Sequence, residues 1–274
     1  MGKLTDKQKL DFQERVKYYK NLIDEAEKKQ KELNQLIIKE PENEWLNRIK
    51  SANNNLNIIS LNCAMSEMSY FILGIKNTAY LDRARQTVYE VLSNIEKIVT
   101  NYVDVPFTDY EEQLHRIDDY SDAERVKLIK MMGFCVDRLA DDFGENSKWR
   151  WSFVEIYARV SVIAKNLLDM RRYQKCDDPR EEGYRERREH LKLVLESLTD
   201  AAKGYRDKFE LSTKDPEDMK KGIDHLKALL RIYQINQDAE KVESTKKNIE
   251  VWSAILDKHM AALDKAKRSG PIKK

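Results

Sequence analysis

Residues Gln30 to Leu56 read QKELNQLIIKEPENEWLNRIKSANNNL, and the fold turns on how Pro41 divides them. Before the proline, Ala26, Gln30, Leu33 and Ile37 recur at alternating spacings of four and three; after it, Trp45, Ile49, Ala52 and Leu56 do the same. Proline has no N–H to donate to a helix interior, yet it fits a first turn. Lys39-Glu-Pro-Glu42 therefore reads as a tight reversal between two helices. The first seam extends back through Ile23, Tyr19 and Val16 to Phe12, behind a capping-box pattern at Thr5 and Gln8. The second extends forward through Ile59, Cys63, Ser66 and Tyr70 to Leu73. A 4–3 alternation predicts left-handed, coiled-coil-like packing, so the opening of the chain is expected to be an antiparallel hairpin with arms of roughly 45 Å.

The second half of that hairpin adds Leu61, Met65, Met68, Phe71 and Ile72 around its circumference, an apolar surface too wide for one neighbour. Thr78 to Val103 is the expected third helix. Thr108-x-x-Glu111 and Ser121-x-x-Glu124 are capping-box spacings that predict a short helix over 109–119 and a longer one from Asp122 to Phe143. A mostly buried helix is expected from Lys148 to Tyr173. Asp177-Asp178-Pro179 and Asp215-Pro216 place a capping aspartate before a first-turn proline, opening the seventh and eighth helices. The seventh starts with a charged turn that is expected to pack little. A turn near Asn236-Gln-Asp238 leads to the ninth, and Arg268 to Lys274 is a basic tail.

The fold class is all-α, with about nine antiparallel helices forming a helical-hairpin stack or adjoining bundles. A division at residue 106 is expected, with 1–106 as the N-terminal hairpin plus third helix and 107–274 as a C-terminal bundle or hairpin stack; one continuous domain is the alternative. Tyr70-Phe-Ile-Leu-Gly74 followed by Ala84-x-x-x-Val88 resembles part of a tetratricopeptide repeat. The likeness covers about one repeat, lacks the terminal proline and shows no period of about 34 residues, so that family is not assigned.

Composition narrows function. Fifty Lys and Arg face 48 Asp and Glu, leaving a net charge of +2 and no strong field for nucleic acid or an anionic membrane. No run of about 18 apolar residues predicts a transmembrane helix, and the first residues lack the apolar core of a secretory signal. Three scattered cysteines, free of zinc-ligand spacing, suit reduced thiols. The expected location is cytoplasmic.

Several constellations match the letters of known chemistry. Asp118, Asp119 and Asp122 form DDxxD, the spacing with which all-α isoprenoid synthases hold magnesium and a diphosphate, and Asp141, Asp142 and Glu145 form a second acidic cluster. Helix boundaries fall inside both, so a solvated, capped junction is the preferred reading. Glu112-x-x-His115 is one copy of a pair that di-iron bundles need twice. His225 reads as a helix-edge residue and His259 as half-buried and hydrogen-bonded. Trp149 and Trp151, and the basic turn of Arg185, Arg187 and Arg188, are the candidate partner-binding residues, although the former suit core packing and the latter intrahelical ion pairs.

The expected function is a noncatalytic cytoplasmic scaffold or adaptor that binds protein partners, with self-association through the N-terminal hairpin as one route. No cofactor is expected. A magnesium-dependent isoprenoid-synthase-like enzyme using Asp118, Asp119 and Asp122 is the alternative, and a nucleic-acid-binding helical protein is the second.

Overall fold

The computed structural model describes residues 5–176 and 178–268, and among them are ten α-helices and no strand. They are α1 (Asp6–Lys39), α2 (Glu44–Leu73), α3 (Thr78–Val99), α4 (Glu111–His115), α5 (Asp122–Phe143), α6 (Arg150–Leu167), α7 (Met170–Lys175), α8 (Tyr184–Lys208), α9 (Pro216–Ile235) and α10 (Ala239–Arg268). Their packing is serial. α1 lies on α2, α2 on α3, α3 on α6, α6 on α8, α8 on α9 and α9 on α10, while α5 crosses α2, α3, α6 and α8.

One apolar core runs through this array from Ile49 of α2 to Leu256 of α10. Leu92 of α3, Met132 of α5, Ile163 of α6, Leu198 of α8 and Trp252 of α10 all belong to it. Residues on both sides of position 106 share that core. α6 is central, with Ile156 and Ile163 wholly shielded from water; each such side chain contributes roughly 1.5–3 kcal/mol.

The N-terminal hairpin forms at the reversal around Pro41. Its interface is mixed rather than purely apolar. Ile23, Ala26 and Leu33 are buried on α1, but between them the Gln30 amide donates to Ser51 Oγ at 2.6 Å and accepts from Asn54 Nδ2 at 3.0 Å. Asn54 also donates to the Ala26 carbonyl at 2.8 Å, and Asn94 of α3 donates to Ser51 at 3.1 Å. Buried amides satisfied in only one alignment fix the register of three helices at once.

α2 is the one described helix long and apolar enough to cross a bilayer by composition, where the sequence predicts none. In its most apolar window 56% is buried inside the protein, as in a core helix.

Several boundaries differ from expectation. α3 stops at Val99 rather than Val103, because Thr100 adopts φ +72° and turns the chain away. The expected helix over 148–173 is two helices: Leu168 is extended and the Asp169 carboxylate accepts from Arg172 N–H at 2.9 Å, starting α7. Thr108 makes no capping box; its hydroxyl donates to Asp109. Asp178 closes a turn by accepting from Arg180 N–H, and α8 begins only at Tyr184. Asp215 caps α9 ahead of Pro216 as expected. Asp177, the side chain of Gln8 and the basic tail beyond Arg268 lie outside the described residues.

Candidate functional site

The site begins at the first turn of α5. Ser121 and Glu124 complete their capping box reciprocally: the Ser121 hydroxyl accepts from Glu124 N–H and the Glu124 carboxylate accepts from Ser121 N–H at 2.9 Å. This sends the Asp122 side chain inward. It is 7% exposed and receives Arg187 Nη1 of α8 at 2.8 Å, in a pair whose arginine is 2% exposed. Arg187 is completed by the carbonyls of Glu182 and Cys176. Beside it, buried Arg125 donates to the carbonyls of Tyr120, Ile117 and Leu167, and His190 Nε2–H donates to Ala164 O at 2.8 Å. Burial pushes the His190 imidazole down to about 4, so it is neutral.

The DDxxD spacing therefore does not converge. Asp118 and Asp119 are exposed, Asp118 reaches only His115 at 3.5 Å, and Asp122 points the other way into its ion pair. The expectation of a solvated junction is corrected at Asp122, which is buried. Among the described residues no group of three or more His, Cys, Asp or Glu side chains is arranged to hold a metal ion. Asp142 of the second cluster sits beside the buried Cys63, whose thiol burial pushes up to about 12.

Arg187 is likewise corrected as a partner-binding candidate, because its guanidinium is inside the protein; in the charged start of α8 Arg187 and His190 are buried, while Arg185, Arg188 and Glu189 are exposed as expected. Arg188 stacks over Tyr173 and Tyr184 and bonds the Tyr173 hydroxyl, and Arg185, one turn earlier, is exposed. With Arg187 inside the protein, the three arginines do not form one basic surface. Trp149 is half-buried against the core with the Arg85 guanidinium 3.6 Å from its ring centroid, and Trp151 is half-buried beneath Arg150. His225 is buried rather than at a helix edge, and His259 is half-buried, bonding the Lys214 carbonyl at 3.0 Å.

What the structure assembles instead is a groove. Asp122–Arg187 and Lys130–Glu189 join α5 to α8 with both numbers rising, so the two helices run parallel. Beyond those bridges a groove of about 710 Å³ opens between them, floored by α6. Val154, Tyr157, Val160 and Ala164 form the floor, and Leu193 and Phe134 form opposite walls. Phe134 is 61% exposed. Asp137, Glu196 and Asp200 line the rim, whereas the lining's one cation, Lys130, is paired with Glu189 at 2.6 Å. Gly133 keeps the α5 wall low, a Cβ there meeting nothing within 4 Å, whereas Gly204 lets α8 approach the floor, where a Cβ would lie 3.3 Å from Val154. On the α8 side, Leu193 to Gly204 extends roughly 16 Å, about three helical turns.

Sequence reasoning passed over this site. Its signal is Phe134, an aromatic residue off the α5 seam of Leu128, Met132, Cys135 and Leu139, with a glycine before it.

No curated protein matches the chain. A solved chain described as "Computational Design of Self-Assembling Cyclic Protein Homooligomers" is 12% identical and covers 92% of this chain and 99% of its own, at a TM-score of 0.27 that carries no argument. The model of the TP0443 family matches residues 8–260, nearly the whole of the helical array, and the chain belongs to the TP0443 family.

Proposed function

We propose that this protein is a noncatalytic helical adaptor that binds an amphipathic, basic helix of a partner protein in the groove between α5 and α8. The observation that carries the reading is Phe134, a large aromatic side chain left 61% exposed at the wall of an apolar groove. An apolar trough between two helices, about three turns long, matches the face of a third helix. The rim supplies the selectivity: Asp137, Glu196 and Asp200 favour Lys or Arg flanking the partner's apolar stripe. The three free cysteines support the cytoplasm as the setting.

The test is a selection from a displayed library of amphipathic helices against the full-length protein, with counter-selection on Phe134→Asp. Enrichment of sequences with Lys or Arg beside the apolar stripe, losing at least about tenfold in affinity on Phe134→Asp, is the expected result. Enriched helices that bind Phe134→Asp equally well, or that carry acidic flanks, sink it.

A further inference from the structure

A second cavity, of about 360 Å³, lies away from the groove between the loop after α3, the end of α6, the start of α7 and the last turns of α9. Its walls include Val103, Phe107, Leu168, Met170 and Ile232. The loop is pinned by fully buried Asn166, whose amide donates to the carbonyls of Thr100 at 3.1 Å and Tyr102 at 3.3 Å. The next side chain back along α6 is Lys165, 5% exposed and lining the cavity. Its ammonium sits 4.5 Å from the centroid of the Tyr110 ring, and among the described residues it has no hydrogen bond or ion pair. The acid whose charge acts on it, Asp104, is bound by Arg231, which lines the same cavity.

A buried ammonium without a counter-ion is costly. Burial pulls Lys165 down to about 8, Asp104 partly offsetting this and Arg231 adding to it, and the group still carries its proton at neutral pH. We infer that this cavity binds a small monocarboxylate with an apolar body, the carboxylate on the Lys165 ammonium and the hydrocarbon against Val103, Phe107, Leu168 and Ile232. One uncompensated cation calls for one negative charge; Arg231 is already committed to Asp104, so a dianionic phosphate would keep a charge unmatched. The volume, at the lower end of ligand cavities, selects a small molecule.

Octanoate and octanol serve as probes in calorimetric titration of the full-length protein. Octanoate is expected to bind one to one and at least about tenfold more tightly than octanol, a preference that falls to about twofold or less in Lys165→Met. Trace acetylation of the unsubstituted protein with acetic anhydride gives a second reading that needs no variant. Saturating octanoate is expected to slow modification of Lys165 at least about tenfold relative to exposed Lys127, as read by mass spectrometry. Absence of saturable octanoate binding, retention of the preference in Lys165→Met, or unchanged acetylation of Lys165 overturns the assignment. So does capture of a peptide C-terminal carboxylate at Lys165 in place of octanoate.

Discussion

Asp122 and Arg187 meet at 2.8 Å with both side chains buried, joining the first turn of α5 to the first turn of α8 across 65 residues of sequence. Removing the Asp122 charge leaves buried Arg187 with only a longer contact, 3.7 Å, to the exposed Glu181 carboxylate. Asp122→Asn is expected to cost about 3 kcal/mol in urea unfolding, whereas Asp122→Leu with Arg187→Met is expected to recover most of that loss. A double variant no more stable than Asp122→Asn contradicts this account of the pair.

Gly183 stands against the same pair with φ +77°. A Cβ there would lie 2.5 Å from Asp122 Oδ2 and 2.9 Å from Arg187 Nη1. Gly183→Ala is expected to destabilise by at least about 2 kcal/mol, combining left-handed backbone strain with displacement of the ion pair. In an Asp122→Ala background the penalty should shrink by the carboxylate's share, leaving the backbone strain and the contact with Arg187. Equal penalties in both backgrounds would show that the carboxylate is not what the new methyl meets.

The His190 imidazole takes up a proton at about 4 when folded and at 6.5 when unfolded. Between those values the unfolded chain holds more protons, so stability falls as the pH drops through this window. From pH 7 to pH 5 the histidine should account for a loss of about 2 kcal/mol. His190→Gln keeps an amide N–H for the Ala164 carbonyl and removes the titration. Denaturation at the two pH values, compared with the parent, tests for the missing slope.

In the hairpin, Asn54→Leu leaves buried Gln30 Oε1 without its donor. A loss of about 1–3 kcal/mol is expected. Gln30→Leu added to Asn54→Leu should cost less than the two single changes summed, because the orphaned oxygen leaves with its side chain. Additive losses in a double-mutant cycle would show that the two amides act independently.

Much of the fold was legible because local chemistry carried it. The 4–3 seams around Pro41, the Ser121–Glu124 box and the Asp215-Pro216 pair each depend on neighbours within a few residues, and each appears in the structure. The break at Leu168–Asp169 was hidden because apolar residues continue through it, and a single Asp gave no contrast against that run. Asp122 was misplaced for a different reason. The capping box fixes where α5 starts, but the direction of the next side chain is decided by Arg187, far along the sequence. The groove needed three helices to exist at all; only Phe134, off its seam, marked it in advance.

The serial packing has a further consequence for α1. That helix rests on α2, while α6 is held by α3, α5 and α8. Detaching α1 breaks its seam on α2 and the Glu27–Arg83 pair to α3 but leaves the main core intact, so its amide protons are expected to exchange with solvent through a local opening, ahead of those in α6 that wait for global unfolding.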